Sequence, residues 1–276
     1  MVMVRALSAA DGGGRTPGGE QEPGRIRGYA MSTIAAAHRI GTGGEDRGIL
    51  RPGRRRLLVG AGTVGLSLVL GTGAAQASHY PSRGWRGTEV AAIQRRLWEL
   101  KYWCGSADGS FGHLTQQAVW ALQKAAGLSQ DGVVGPNTRS ALDRGVRPSR
   151  RITSGTGIEI DVGRDLMIFT WNGSLSYIMN TSTGRGERYY SGGRWKTAYT
   201  PLGDYRVFRR YSSGWQSGPL GDLYRPIYFH NGWAIHGSYS IPPYPASHGC
   251  ARVSTSFMNR LWDRGWCVDG RRVLTY

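Results

Sequence analysis

Residues 84–146 carry apolar side chains at the spacing of an amphipathic helix. Val90, Ile93, Leu97 and Leu100 follow one another at intervals of three or four residues, with polar side chains between them. Because 3.6 residues make one helical turn, these positions share one face. The pattern predicts a helix whose apolar stripe packs in a core.

A turn motif follows this helix and is repeated 23 residues later. Asp108-Gly109 and Asp131-Gly132 each precede a helix-like apolar pattern, and Pro136 stands where the last helix would begin. Proline suits the first helical position because the N–H that it lacks would have no partner there. The region is therefore predicted to form a small three-helix module.

Residues 156–276 alternate apolar and polar positions with the period of β-strands. Two such runs flank Asn172-Gly173, a dipeptide typical of tight hairpins because both turn positions need positive φ. The runs with strand character are 158–162, 166–171, 175–179, 204–209, 227–229, 233–236 and 271–275, and 254–263 could form a short helix. We predict a mainly β domain, a sandwich or barrel, joined to the helical module by a linker at 147–155.

The first 77 residues resemble neither domain. Residues 1–50 have no sustained hydrophobic period, and we interpret them as disordered or as an over-extended N-terminus. Residues 51–77 combine a basic run, an uncharged apolar stretch and a small-x-small end, which predicts a signal peptide cleaved after Ala77. Arg54-Arg55 leaves both the general secretory and the twin-arginine route open, and an uncleaved membrane anchor is the alternative.

The chain is strongly basic, with a net charge of +17. The part after Ala77 has 25 Lys and Arg against 13 Asp and Glu. Such a surface favours polyanions, including the acidic polymers of a cell wall. Export would place the protein outside the cytoplasm and the sequence has no nucleic-acid motif, so we expect no nucleic-acid partner. We expect membrane contact during export only, and a monomer.

Cys250 is the candidate nucleophile. His236 and His248 lie within fourteen residues of it, and a cysteine needs such a base because the thiolate is the reacting form. Gly249 allows a tight turn that exposes the sulfur, and the N–H groups of that turn could hold an oxyanion. The pattern indicates acyl transfer, against the alternative of a buried structural cysteine.

A zinc site is the other alternative at this cluster. His230, His236, His248 and Cys250 could supply four ligands. Six residues separate His230 from His236, however, and no carboxylate lies in the stretch. We therefore expect no zinc site at this cluster.

The helical region resembles the peptidoglycan-binding type 1 module. The resemblance runs from about Gly87 to Leu142 and is carried by Ile93-Gln94, Asp108-Gly109, Phe111-Gly112, Gly127-Leu128, Asp131-Gly132 and Ala141-Leu142. It implies binding to wall peptides and glycan strands, with most of these residues serving as core and turn positions. A purely structural spacer is the alternative.

The β domain, from about Ile158 to Tyr276, resembles the YkuD-type L,D-transpeptidase family. The motifs are Thr200-Pro201-Leu202-Gly203, Ile235-His236-Gly237 and Ser247-His248-Gly249-Cys250-Ala251-Arg252. The resemblance implies a β-sandwich enzyme of wall biogenesis and cell shape that needs no cofactor. It would cleave the terminal D-Ala from a tetrapeptide stem and transfer the acyl group to an amine of another stem, a 3→3 cross-link.

The resemblance also implies a role for each site residue. Cys250 would be the nucleophile and His236 the general base and then acid, oriented by the carbonyl of Gly237. The N–H groups of the turn formed by His248, Gly249 and Cys250 would form the oxyanion hole. Arg252, Ser247, Tyr228 and Tyr244 would bind substrate, and Cys250 would be open to acylation by carbapenems.

Two other functions stay open at this point. If water or a D-amino acid resolves the thioester, the enzyme is an L,D-carboxypeptidase or an exchange enzyme. A non-catalytic wall-binding protein is the third class, although the intact Cys250 and His236 argue against it.

Cys104 and Cys267 are the two remaining cysteines. In an oxidising compartment they could form a disulfide that ties the module to the last strand of the catalytic domain. Two separate buried thiols are the alternative.

Overall fold

The computed structural model describes residues 80–276, which fall within one compact unit. The expectations for residues 1–50 and for a signal peptide at 51–77 lie outside the described residues. Within residues 80–276, no helix is long and apolar enough to cross a bilayer.

Four helices and twelve strands make up the described part of the chain. The helices are α1 (Thr88–Glu99), α2 (His113–Ala125), α3 (Pro136–Asp143) and α4 (Thr255–Asp263). The strands are β1 (Gly157–Asp161), β2 (Leu166–Trp171), β3 (Ser174–Asn180), β4 (Arg188–Ser191), β5 (Arg194–Thr197), β6 (Gly203–Arg206), β7 (Arg209–Arg210), β8 (Trp215–Gln216), β9 (Leu223–His230), β10 (Trp233–Ser238), β11 (Ala251–Ser254) and β12 (Arg272–Thr275).

Helices α1 to α3 form the N-terminal module, and a buried glutamine explains its repeated turn. Each glutamine side chain bonds the carboxylate and the glycine N–H of its turn and the threonine hydroxyl of the next helix. The partners are Asp108, Gly109 and Thr115 for Gln94, and Asp131, Gly132 and Thr138 for Gln123, at 2.6–3.1 Å. In each repeat, the buried glutamine amide thus joins the turn to the next helix and has hydrogen-bond partners for its polar atoms.

The C-terminal domain contains two mixed sheets and a separate hairpin. One sheet has the order β3-β2-β1-β12-β6 and the other β11-β10-β9-β7, with β8 also on β9 and β4 paired with β5. The pairs β1–β12 and β10–β11 are parallel and the rest are antiparallel. Both sheets and α4 contribute to one apolar core, in which Phe169, Ile227, Val253 and Phe257 are all buried.

The linker is docked on the catalytic domain. Glu159 lies fully buried on β1, and its carboxylate accepts the N–H groups of Arg151 and Ile152, both at 2.8 Å. Ile152 is itself buried. The strand is therefore covered on both faces, so the solvated polar face that its alternation predicts is absent.

Cys104 and Cys267 are both free thiols, which corrects the pairing considered from the sequence. Cys104 lies in the core of the helical module, where its Sγ is 3.5 Å from the carbonyl oxygen of Gln94. Cys267 lies in the core of the β domain. Each thiol is enclosed by its own apolar cluster, and burial raises the pKa of both to about 12.

Candidate active site

Cys250 stands at the end of a tight turn, directly before β11. Gly249 has a φ of +132°, and a Cβ there would meet Trp233 Nε1 and lie 2.5 Å from the carbonyl oxygen of Tyr199. That backbone conformation is strained for any residue with a side chain, so only glycine fits. The turn thereby places the cysteine sulfur at the floor of a cleft.

Hydrogen bonds within the turn keep it rigid. Ser247 Oγ donates to the carbonyl of Cys250 at 2.7 Å and accepts the N–H of Gly249 at 2.9 Å. Thr200 Oγ1 donates to the carbonyl of Gly249 at 2.7 Å. The Gly249 N–H is therefore already committed inside the turn.

His236 lies on β10, the strand parallel to β11, and is paired in register with Arg252. Its Nδ1 is 2.9 Å from the carbonyl oxygen of Gly237. Because a carbonyl can only accept, Nδ1 carries the proton and Nε2 keeps its lone pair. Burial lowers the pKa of His236 to about 4, so the ring is a neutral base at pH 7.

Burial also raises the pKa of the Cys250 thiol, against the opposing effects of the Ala234 backbone and the Arg252 charge. The resting site thus holds a neutral thiol and a neutral imidazole. Nucleophilic attack then requires the sulfur to lose its proton to a base as the new bond forms.

Both side chains line one cleft with a volume of about 810 Å³. Its walls contain three cationic side chains, Arg194, Lys196 and Arg252, and one carboxylate, Asp222. Aromatic side chains border the same space: Tyr189, Trp195, Tyr199 and Trp233. A basic cleft with aromatic walls suits an anionic, partly apolar substrate.

Family and structure comparisons agree with this geometry. Residues 155–274 match the family described as the L,D-transpeptidase catalytic domain, and 86–142 match a peptidoglycan binding domain. The chain is 51% identical to the L,D-transpeptidase of Xylanimonas cellulosilytica, covering 71% of this chain and 97% of that one, with a TM-score of 0.69. The chain belongs to the L,D-transpeptidase family. The family assignment favours an enzyme over the non-catalytic wall-binding alternative.

Curated relatives match this L,D-transpeptidase over a shorter stretch. An N-acetylmuramoyl-L-alanine amidase of Bacillus licheniformis, CwlL, is 46% identical over 65 residues, which are 22% of this chain and 17% of the amidase. CwlM, an amidase of Mycobacterium tuberculosis, is 41% identical over 56 residues, 20% of this chain and 14% of that protein. The chain thus spans less than a fifth of the length of each.

The predicted site residues of this L,D-transpeptidase divide into two groups. Ser247, His248 and Arg252 line the cleft with Cys250 and His236, and His248 packs edge-on against Tyr189 at 4.7 Å.

The two predicted tyrosines lie apart from the cleft walls. Tyr228 lies on β9 under the guanidinium of Arg209, and burial raises its pKa against the opposing effect of the Arg209 charge. Tyr244 is 61% exposed, and its carbonyl accepts the hydroxyl of Ser182. Neither tyrosine is among the side chains that line the cleft.

The zinc alternative does not fit the arrangement of these side chains. His230 stacks on Trp233 at 5.5 Å and packs against Tyr205 at 4.7 Å. Within residues 80–276, no three His, Cys, Asp or Glu side chains come together as a metal site.

The β4–β5 hairpin is the part of the site that sequence reasoning missed. It contributes Tyr189, Trp195 and Lys196 to the cleft. Its turn is Gly192-Gly193, with φ of +60° and +75°. A Gly-Gly pair between two aromatic runs is a hairpin signal and could have located it.

Proposed function

We propose that the protein cleaves the terminal D-Ala from a peptidoglycan tetrapeptide stem through a Cys250 thioester. It then transfers the acyl group to a side-chain amine of another stem, forming a 3→3 cross-link. The observation that carries this proposal is that Cys250 and His236 line the same cleft, with His236 on β10 and Cys250 directly before β11, the strand parallel to it. The match to the L,D-transpeptidase catalytic domain supports the reaction class.

In the first half-reaction, His236 Nε2 takes the thiol proton of Cys250 as the sulfur attacks the carbonyl carbon before the terminal D-Ala. A carbon–sulfur bond forms, and the carbonyl oxygen becomes an oxyanion. The carbon–nitrogen bond then breaks, and His236 returns the proton to the departing amine. The products are a thioester on Cys250 and free D-Ala.

In the second half-reaction, the amine of another stem attacks the thioester. His236 accepts a proton from that amine, a new amide bond forms, and the carbon–sulfur bond breaks. The proton returns to the sulfur, so the enzyme ends in its starting state. If water replaced the amine, the same steps would give an L,D-carboxypeptidase.

Backbone N–H groups would stabilise the oxyanion in both halves. The Gly249 N–H donates to Ser247 Oγ and is not free for this task. We therefore assign the role to the N–H groups of Cys250 and His248, at either side of Gly249. Gly249 then contributes the shape of the turn rather than a donor.

The basic side chains of the cleft would bind the carboxylates of the stem. Arg252 lies in register with His236, next to the reacting groups, and we assign it the stem carboxylate nearest the scissile bond. Arg194 and Lys196 would attract the rest of the anionic stem from the hairpin side.

We place this reaction in the cell wall, outside the cytoplasm. The support is the signal-like pattern at residues 51–77 and the match of 86–142 to a peptidoglycan binding domain. Wall binding by the module would raise the local concentration of stems at the catalytic domain. The protein would meet the membrane only during export and act as a monomer.

The test is D-Ala release from a tetrapeptide stem, with and without a second stem that carries a free amine. The proposal expects a cross-linked dimer in the presence of the acceptor and no product with Cys250→Ala. Formation of the tripeptide without a cross-linked dimer would mean that the protein is a carboxypeptidase and not a transpeptidase. Turnover by Cys250→Ala would remove Cys250 as the nucleophile.

A further inference from the structure

The buried side-chain amide of Gln117, on helix α2 of the binding module, contacts the catalytic domain. Gln117 Nε2 donates to the carbonyl of Ile241 at 3.0 Å, and Asn180 Nδ2 donates to Gln117 Oε1 at 2.7 Å. Gln117 is only 2% exposed. Ile241 begins the proline-rich loop that leads from β10 to the nucleophile turn, so this helix holds the start of that loop.

A buried lysine of the same helix makes the second connection. Lys124 Nζ donates to the carbonyl oxygens of Asp165 at 2.9 Å and Thr181 at 3.2 Å. Lys124 lies seven residues after Gln117, two helical turns along the same face. Burial lowers the pKa of Lys124 to about 8, so its side chain is still mainly an ammonium at pH 7.

The segment that Lys124 contacts holds the other end of the loop. The carbonyl of Thr183 accepts the N–H groups of Ala246 at 3.1 Å and Ser247 at 2.9 Å. Asp165 Oδ1 accepts both the N–H and the hydroxyl of Thr183, at 2.9 and 2.6 Å. Ser247 in turn bonds Gly249 and the Cys250 carbonyl, as described above.

We propose that Gln117 and Lys124 are positioning residues for the nucleophile, and that α2 of the wall-binding module is a working part of the active site. The inference rests on the proposed role of Cys250. It goes further in giving the module a second task besides binding the wall. The helix bonds Ile241 directly at one end of the loop and reaches Thr183 at the other end through Asp165, and in this way it fixes the loop that ends at Cys250.

The chemistry of the contact supports positioning over simple adhesion. Burying an ammonium and an amide costs desolvation, and apolar groups of the same size would hold two domains together without that cost. Directional hydrogen bonds from polar side chains to particular carbonyl groups instead fix one relative position of the helix and the catalytic domain. Because a small displacement of a reacting group slows the reaction, a fixed position of the helix favours catalysis.

The test is the acylation of Cys250 by a carbapenem, followed by intact mass in the full chain. Lys124→Met and Gln117→Leu remove the donors while keeping similar volume. We expect the maximal acylation rate to fall by about ten- to a hundredfold, because misplacing a reacting group lowers a rate by this order. The half-saturating carbapenem concentration and binding to isolated cell walls should stay unchanged. Val90→Ala, a cavity in the core of the module, is the control and should keep the wild-type rate.

The outcomes separate this inference from the proposed function. Wild-type rates in both Lys124→Met and Gln117→Leu would overturn it, as would an equal loss of rate in Val90→Ala. If Lys124→Met does not fold, Gln117→Leu decides alone. Failure of the wild-type protein to be acylated would instead overturn Cys250 as nucleophile, and this inference with it.

Discussion

His236 Nδ1 lies 2.9 Å from the carbonyl oxygen of Gly237, the next residue in the chain. A backbone carbonyl here orients the imidazole, a task that a carboxylate performs in many catalytic triads. A carbonyl fixes the tautomer but supplies no full negative charge to stabilise an imidazolium. Burial of the ring favours the neutral form and lowers the pKa of His236 to about 4, and the weaker opposing effect of the Gly237 carbonyl does not offset it. The position of Gly237 must be occupied by glycine, because a Cβ there would lie 2.8 Å from Tyr224 Cδ1.

The neutral pair predicts a slow, pH-dependent reaction of Cys250 with iodoacetamide. Burial raises the pKa of the thiol above its ordinary value of 9.0, so the alkylation rate should keep rising beyond pH 9. The measurement is the alkylation rate against pH, with Cys250→Ala as the blank. A plateau reached below pH 7 would indicate a thiolate–imidazolium pair and contradict the neutral resting state.

His236 should also destabilise the fold in acid. Its pKa is about 4 when folded against an ordinary 6.5, so protons bind the unfolded chain more tightly. Its contribution is complete above pH 6.5 and is lost as the pH falls to about 4, a loss of about 3 kcal/mol. Urea unfolding at pH 7 and pH 4 measures it. His236→Gln should lose less stability over this range, and equal losses would contradict the prediction.

Gly249→Ala should strongly reduce acyl transfer, because the new Cβ would collide with Trp233 and Tyr199 at a φ of +132°. We expect the rate of D-Ala release to fall by about a hundredfold or more, because the substitution would displace a reacting group. Gly265→Ala is the matched control, since Gly265 has a φ of +69° with nothing within 4 Å of its Cβ position. It should lose some stability and keep its activity. If the two variants lost similar amounts of D-Ala release activity, backbone strain alone would explain the loss, and the collision at Gly249 would not be the cause.

The free thiols predict a simple labelling pattern. Cys104 and Cys267 are buried and unpaired, whereas Cys250 opens into the cleft. A thiol reagent should modify one cysteine in the folded protein and three after unfolding without reductant. One modified cysteine after unfolding would mean that Cys104 and Cys267 are joined by a disulfide.

Sequence periodicity predicted the elements that carry their own signal. The apolar stripe of α1 and the Asn172-Gly173 hairpin depend on local spacing, and both are present. Strand β11 was missed because it has only four residues and the first two belong to the cysteine motif. Strands β7 and β8, with two residues each, are too short to show any period.

The sequence singles out Cys250 and His236 as the proposed nucleophile and base, but it does not reveal the residues around them that we propose hold them in place. Cys250 and His236 belong to compact motifs of reactive residue types. Gln117 and Lys124 are polar residues on an amphipathic helix, and such positions usually face water. Only the tertiary contact with the catalytic domain shows that they are buried, because the pattern of one helix does not reveal what covers it.

Trp195 should contribute to substrate binding rather than to chemistry. It is 60% exposed on β5, lines the cleft and packs against Tyr190 at 5.7 Å. Truncation would remove an aromatic wall that contacts the substrate equally before and during reaction. Trp195→Ala should therefore raise KM by up to about tenfold and leave kcat nearly unchanged.

The matched control is Trp171→Ala, because Trp171 is also partly exposed but lies at the end of β2 and not among the cleft residues. Its KM should equal that of the wild type, whatever stability it loses. Steady-state D-Ala release over a range of stem concentrations gives both constants for the two variants. A fall in kcat without a change in KM in Trp195→Ala would mean that the hairpin acts on the transition state, and the binding role would be wrong.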